Sequence, residues 1–209
     1  CIYPKKSKIP IKEKYLLTGK LEKTNEAYAI SKIAGIKLCS ILHEDYKKDV
    51  VCLMPTNVYG LNDNFDIKSS HVIPGLISKF INAKINNENV TIWGTGKPIR
   101  EFIHVEDLAN AIFVSLKTSK KRFNQIFKNS LPLMNVGSGD HISIKKLALE
   151  IKNIIKFRGK IIYDKRYPDG TINKNLNSSL IKKLNWKTKI KFLSGLKKII
   201  KERLKQFKD

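Results

Sequence analysis

Val50-Val51-Cys52-Leu53-Met54 is an unbroken apolar run that stops at Pro55-Thr56-Asn57-Val58-Tyr59-Gly60. Apolar residues in succession, without polar alternation, predict a strand buried on both faces of a parallel sheet. Ahead of it, Asn25 or Thr24 can cap a helix running to about Tyr46, with Ile30, Ile33, Ile36, Leu38, Ile41 and Leu42 as its apolar face. Gly35 lowers helix propensity and suggests close approach of another backbone. Ligands of open α/β sheets sit beyond the carboxyl ends of strands, so Pro55–Val58 is a candidate cofactor contact.

Outward from this stretch the same alternation continues. The Lys-rich segment from Lys5 to Thr24 reads as mostly loop, and His71-Val72-Ile73-Pro74 leads into a helix over about 75–82. Val90–Trp93, Glu101–Val105, Met134–Val136 and Lys160–Tyr163 read as short strands. Helices are expected over 106–116, 144–155 (capped by Ser143), 178–184 and 192–206, with an excursion loop over 124–131. Helices alternating with short apolar strands place the chain in the α/β class.

With 209 residues, 42% hydrophobic and 28% charged, the chain can bury a sizeable core. No apolar run reaches the length of a membrane span, and no membrane partner is expected. Cys1, Cys39 and Cys52 are odd in number and lack metal-ligand spacing, which points to no metal and to a reducing, cytoplasmic setting. The net charge of +23 is concentrated late, with twenty Lys/Arg against five Asp/Glu from Lys145 onward. These lysines are scattered through amphipathic patterns, which favours a solvated basic surface over a nucleic-acid partner.

Within the first helix, Tyr28 and Lys32 lie one turn apart on one face. A phenol beside an ammonium suits proton donation, because the cation favours the phenolate. The same spacing also arises on ordinary helix surfaces, so the pair alone decides little.

Several stretches taken together resemble the extended short-chain dehydrogenase/reductase family. They are Cys1-Ile-Tyr-Pro-Lys5, Tyr28-Ala-Ile-Ser-Lys32, Met54-Pro-Thr-Asn-Val-Tyr-Gly60, Arg100-Glu-Phe-Ile-His-Val105, Asn135-Val-Gly-Ser-Gly139 and Pro168-Asp-Gly-Thr171. The Cys-Ile-Tyr-Pro-Lys stretch, Asn62-Asp-Asn-Phe65 and Ser70-His-Val-Ile-Pro74 are the more specific ones, and resemble the branch that makes GDP-L-fucose.

The resemblance implies a partial Rossmann-like, doubly wound parallel sheet with a smaller C-terminal α/β substrate-binding domain. Residues 1–60 would be the C-terminal part of the NADP-binding domain. Residues 61–209 would be mainly substrate-binding, with 100–116 returning to the first domain. It further implies 3,5-epimerisation and then NADPH-dependent 4-reduction of GDP-4-keto-6-deoxy-D-mannose. Tyr28 would protonate the C4 keto oxygen, Lys32 would bind the nicotinamide ribose, and Cys1 and His71 would be the epimerisation base and acid. Pro55, Thr56, Asn57, Val58 and His71 would touch NADP, together with Tyr28 and Lys32. Lys79, Trp93, Arg100 and Asp169 would hold the GDP-sugar, in a protein that is a homodimer at full length.

Two departures qualify this. The glycine-rich dinucleotide fingerprint of the family is missing; Gly94-Thr-Gly96 and Gly137-Ser-Gly139 are too short and too late. The serine expected two residues before Cys1 is also absent. The chain therefore reads as an N-terminally truncated piece that is inactive alone. Rival expectations are a UDP-hexose 4-epimerase, which needs neither Cys1 nor His71, a basic nucleic-acid-binding protein, and an inactive gene product.

Overall fold

A computed structural model of the chain describes residues 1–128 and 130–207. In chain order its main elements are α1 (Glu26–Glu44), β1 (Cys52–Pro55), β2 (Asn57–Tyr59), α2 (Val72–Ile85), β3 (Val90–Trp93) and β4 (Ile99–His104). There follow α3 (Val105–Lys117), α4 (Lys120–Ile126), β5 (Leu133–Val136), β6 (His141–Ser143), α5 (Ile144–Ile155) and β7 (Ile161–Asp164). The last helices are α6 (Ser179–Lys182) and α7 (Phe192–Lys205). The chain forms two compact units, one from residues 1–56, 107–139 and 174–188, the other from 57–106, 140–173 and 189–209.

In the first unit β1 runs parallel to β5, in the register Cys52↔Leu133 to Pro55↔Val136. Its apolar cluster joins Ile33 and Ile36 of α1 to Leu133 and to Ile2, Tyr3, Ile11 and Leu16. A fully buried amide, Asn135, sits among these side chains. Its Oδ1 accepts the Tyr3 hydroxyl at 2.5 Å, its Nδ2 donates to the Ile11 and Asn177 carbonyls at 3.0 and 3.2 Å, and its backbone N–H donates to Glu13 Oε1 at 2.9 Å. Burial pushes the Tyr3 phenol and the Glu13 carboxyl up from their ordinary values, and the Asn135 N–H bond partly offsets this for Glu13.

The second unit is built on three paired strand sets. β2 runs parallel to β4, β4 antiparallel to β6, and β3 parallel to β7. Against them pack Ile73, Ile77, Phe80 and Ile81 of α2, Leu147 and Ile151 of α5, and Leu196 and Ile200 of α7. Each such side chain contributes roughly 1.5–3 kcal/mol of burial. α5 starts where the sequence puts it, with Ser143 Oγ accepting the Lys146 N–H at 3.1 Å.

Several local expectations are corrected. Ile30, Leu38 and Ile41 are exposed rather than buried, and α1 buries Ala29, Ile33, Ile36 and Ser40. Gly35 faces open space, with no atom where its Cβ would be. β1 is half-buried rather than fully buried, since β5 is its one strand partner among the described residues. α2 begins at Val72, because Pro74 in a first turn has no N–H that the helix needs. Residues 120–126 are helical, with Ser119 Oγ accepting from Arg122 N, so the first three residues of the loop expected over 124–131 are helix instead; residue 129 of that stretch lies outside the described residues. The 5–24 segment is mostly loop, as expected, with short 3-10 turns, and it also carries Ile11 and Leu16 into the core.

Asn135→Ala leaves the Tyr3 hydroxyl and the Ile11 and Asn177 carbonyls without this partner, at about 1–3 kcal/mol for each group that stays dry. A net loss of about 2–4 kcal/mol is expected, read as a lower urea midpoint with an unchanged slope. A loss below about 0.5 kcal/mol would show that water takes over these bonds.

Candidate functional site

On α1, Ala29 and Ile33 are buried, which turns Tyr28 and Lys32 outward. Tyr28 is 57% exposed, and the Lys32 ammonium lies 5.4 Å from its ring centroid. The expected pair is thus together, with the phenol open to a ligand. At the end of β1, the Thr56 N–H donates to the Val136 carbonyl at 3.0 Å. The Thr56 Oγ1 is buried and has no hydrogen-bond partner, and Pro55 is half-buried. Cys1 is a free, exposed thiol, next to Ile2, which is buried, and Tyr3, which is held by Asn135.

In the second unit Asn57 opens β2, exposed, with its Nδ2 donating to the Glu101 carbonyl at 2.9 Å; Val58 is half-buried. His71 is exposed at the N-cap position of α2. Its carbonyl accepts the Gly75 N–H at 2.9 Å, and its ring makes no capping bond. The loop before it is wound around Asp66, whose Oδ1 accepts from Lys68 N, Ser69 N and Ser69 Oγ. Ser78 Oγ donates to the Phe65 carbonyl at 2.7 Å and ties that loop to α2.

The four expected substrate residues gather at the carboxyl ends of β3 and β7 and the start of β4. The Lys79 ammonium lies 5.0 Å from the Trp93 ring centroid and donates to the Thr91 carbonyl at 3.3 Å. Arg100 Nη1 donates to the Thr171 carbonyl at 2.7 Å. Asp169 accepts from Thr95 twice, from N–H to Oδ1 at 2.8 Å and from Oγ1 to Oδ2 at 2.5 Å. That contact needs Gly94, whose φ is +79° and whose Cβ would fall 2.3 Å from the carboxylate. Burial pushes the Lys79 and Arg100 cations down from their ordinary values, and the Asp169 charge partly restores Arg100.

Sequence reading missed two residues of this cluster. Tyr167 stacks on Trp93, with ring centroids 4.5 Å apart and planes at 16°, and Thr95 supplies the bonds to Asp169. Their signals were present but weak: an aromatic ahead of the Pro168-Asp169-Gly170 turn, and a hydroxyl between two glycines. Among the described residues no group of three or more His, Cys, Asp or Glu side chains could hold a metal ion. No helix among them is long and apolar enough to cross a membrane.

Residues 1–128 match the NAD dependent epimerase/dehydratase family, and the chain belongs to it. Its mixed α/β architecture with parallel strand pairs is the Rossmann-like fold expected of such a protein. Among individual relatives, it is 45% identical over 197 residues to GDP-L-fucose synthase 1 of Arabidopsis thaliana, covering 94% of this chain and 58% of that protein. A GDP-6-OMe-4-keto-L-xylo-heptose reductase from C. jejuni superposes with a TM-score of 0.90 at 33% identity, covering 98% of this chain and 68% of that one. A GDP-L-fucose synthetase from Naegleria fowleri bound to NADP gives 0.86 at 26% identity, covering all of this chain and 64% of that one. The chain spans less than two thirds of the length of the curated relatives it matches.

The Thr95 hydrogen bonds hold the Asp169 carboxyl below its ordinary value of 3.8. A depressed folded value means that the bracing is complete above the unfolded value and is lost as pH falls through the folded one. Trp93 emission, which reports on the same loop through Tyr167, is therefore expected to show a transition whose midpoint lies below pH 3.8. In Thr95→Ala the transition should move up toward that value; an unmoved midpoint would assign it to another group.

Proposed function

We infer that this chain is the catalytic-tyrosine and substrate-binding portion of a GDP-L-fucose synthase, which epimerises GDP-4-keto-6-deoxy-D-mannose at C3 and C5 and then reduces it at C4. The observation that carries the reading is the exposed Tyr28 phenol with the Lys32 ammonium 5.4 Å from its ring. The four-residue cluster of Lys79, Trp93, Arg100 and Asp169 and the identity to GDP-L-fucose synthases support it. In this reading residues 1–60 belong to the cofactor domain, and most of 61–209 serves the substrate.

NADPH, when bound, supplies the hydride. The residues present fit that group: Tyr28 and Lys32 are open to solvent, and Thr56 keeps a buried hydroxyl with no protein partner at a strand's carboxyl end. Pro55, Thr56, Asn57, Val58 and His71 would hold it, with Lys32 on the ribose. Tyr28 gives its proton to the C4 oxygen, and Lys32 stabilises the phenolate left behind. Epimerisation requires a proton to leave and return at carbons flanking the ketone, and Cys1 as base and His71 as acid take these roles. Lys79 and Arg100 are half-buried cations whose charged forms an anion would stabilise further, which suits a diphosphate. Asp169 retains lone pairs for a sugar hydroxyl while bound to Thr95, and Trp93 lines the nucleotide pocket.

A homodimer suits the apolar side chains that α1 and α3 leave in solvent, Ile30, Leu38 and Ile41 on one and Ile112, Phe113 and Leu116 on the other. Free thiols at Cys39 and Cys52 suit the cytoplasm.

The test uses the complete protein that contains this sequence, supplied with GDP-4-keto-6-deoxy-D-mannose and NADPH. GDP-L-fucose is the expected product. Tyr28→Phe should lower NADPH consumption by about 10²–10⁴-fold while C3 and C5 hydrogens still exchange with deuterated solvent. Cys1→Ser should stop that exchange. A wild-type protein that consumes NADPH without exchanging either position would be a simple 4-reductase, and the reading would fail.

A further inference from the structure

Between β2 and α2 the chain reads Leu61-Asn-Asp-Asn-Phe-Asp-Ile-Lys-Ser-Ser70, rich in short side chains that bond nearby backbone. Asn64 Oδ1 accepts the Asp66 N–H at 2.9 Å, Asn64 Nδ2 donates to Ser69 Oγ at 2.9 Å, and the Asp66 carbonyl accepts the Ser70 N–H at 2.9 Å. Asp66 Oδ1 adds three bonds, from Lys68 N, Ser69 N and Ser69 Oγ. Residues 64–70 are thereby closed on themselves, and His71 follows directly. A loop wound in this way moves as one piece, so whatever holds it sets where His71 stands.

The hold is at Phe65. Residues 61–69 are exposed except for Asp63 and Phe65, which are half-buried, and Phe65 packs on the core of the second unit. Its carbonyl accepts Ser78 Oγ of α2 at 2.7 Å. The Arg203 guanidinium lies 4.7 Å from its ring centroid and 5.3 Å from that of Phe207. Arg203 belongs to α7, whose Leu196, Ile199 and Ile200 are buried in the same core, so the cation projects from a fixed element. Arg203 Nη1 donates to Gln206 Oε1, while Nε is buried with no hydrogen-bond partner. Aromatic faces compensate a guanidinium withdrawn from water in this way.

We propose that Arg203, through its contact with Phe65, is a positioning residue for His71 in the epimerisation half of the reaction. The proposal rests on the epimerase–reductase reading above and deepens it. Inversion at a carbon beside the ketone needs a base on one face and an acid on the other, whereas simple exchange needs the base alone, which can return a solvent-derived proton to the face it came from. Displacing His71 therefore separates the two: solvent hydrogen still enters C3 and C5, but the centres are not inverted. An acid must stand within hydrogen-bond reach of the carbon it serves, so a small shift of the loop is enough.

The test uses the complete protein that contains this sequence, in deuterated water with GDP-4-keto-6-deoxy-D-mannose and NADPH. It follows GDP-L-fucose formed and deuterium at C3 and C5 of all recovered sugars. Arg203→Ala and Phe65→Leu are each expected to lower GDP-L-fucose formation about tenfold while deuterium enters at the wild-type rate. Arg203→Lys keeps a cation for the ring and should recover formation to within about threefold of wild type. In a His71→Ala background, Arg203→Ala should lower formation no further, because both act through one group. Unchanged GDP affinity in each variant checks that the second unit is folded. Equal loss of exchange and product would make Arg203 a general structural brace and overturn the proposal. So would wild-type behaviour of Arg203→Ala or Phe65→Leu, a lysine variant no better than alanine, or a further loss in the His71→Ala background. A wild type that exchanges neither position sinks the epimerase reading itself, and the positioning role with it.

Discussion

Parallel pairing of short strands is the constraint on which the candidate site depends. In a parallel pair both chains leave at the same end, whereas an antiparallel pair sends them to opposite ends. Trp93 is opposite Asp164 in the β3–β7 register, so Gly94-Thr95-Gly96 and the 165–171 loop emerge side by side. The Thr95–Asp169 bonds and the Trp93–Tyr167 stack follow from that placement. The same rule acts between β1 and β5, where Pro55 is opposite Val136 and the Thr56 amide is caught by the Val136 carbonyl. In each unit, then, the apolar registry of a strand pair decides which polar residues meet beyond it.

The electrostatics of the second cluster follow from partial burial. A cation taken out of water loses hydration, and any charge that later approaches is felt more strongly in the lower dielectric. Burial disfavours the charged forms of Lys79 and Arg100 relative to free side chains, and Asp169 offsets this for Arg100. Asp169 is itself bound to Thr95, so its charge is shared between holding a loop and steadying a guanidinium. Such a cluster is positive but incompletely compensated, and an anionic ligand is the natural complement. The net charge of +23 acts at longer range, drawing anions toward the surface in a salt-dependent way.

Much of this was legible in the sequence where local signals agreed. Ser143 before Ile144-Lys-Lys-Leu147 located the start of α5 because the cap and the apolar spacing point the same way. Val90–Trp93 was legible as a strand because its alternation matches a sheet with one buried face, the buried residues being Val90 and Ile92. The juxtaposition of Tyr28 and Lys32 was legible from their four-residue spacing on a helix, whereas Lys79, Trp93, Arg100 and Asp169 were singled out only through whole motifs, since their spacing along the chain has no local meaning. What escaped was tertiary in origin. Thr95 and Tyr167 are far apart in sequence, and only the β3–β7 register brings their loops together. Residues 120–126 lack a long apolar period, yet Phe123 is buried and Ser119 caps the turn, which suffices for a short helix.

The misread face of α1 has a physical meaning of its own. α1 leaves Tyr28 and Lys32 in solvent, so it does not bury the whole of its circumference in its own unit. Ala29, Ile33, Ile36 and Ser40 form the buried stripe, while Ile30, Leu38 and Ile41 stay in solvent. Isolated exposed apolar residues are common, but a helix with apolar side chains on opposite sides is suited to burial on both. α3 repeats the pattern, burying Asp107, Ala111 and Ser115 and exposing Ile112, Phe113 and Leu116. Its buried stripe is made of small and polar residues and its exposed one of large apolar residues, the reverse of an ordinary surface helix. If a second copy covers these faces, α1 is packed on both sides, and Tyr28 stands on a helix held from two directions rather than on a loop.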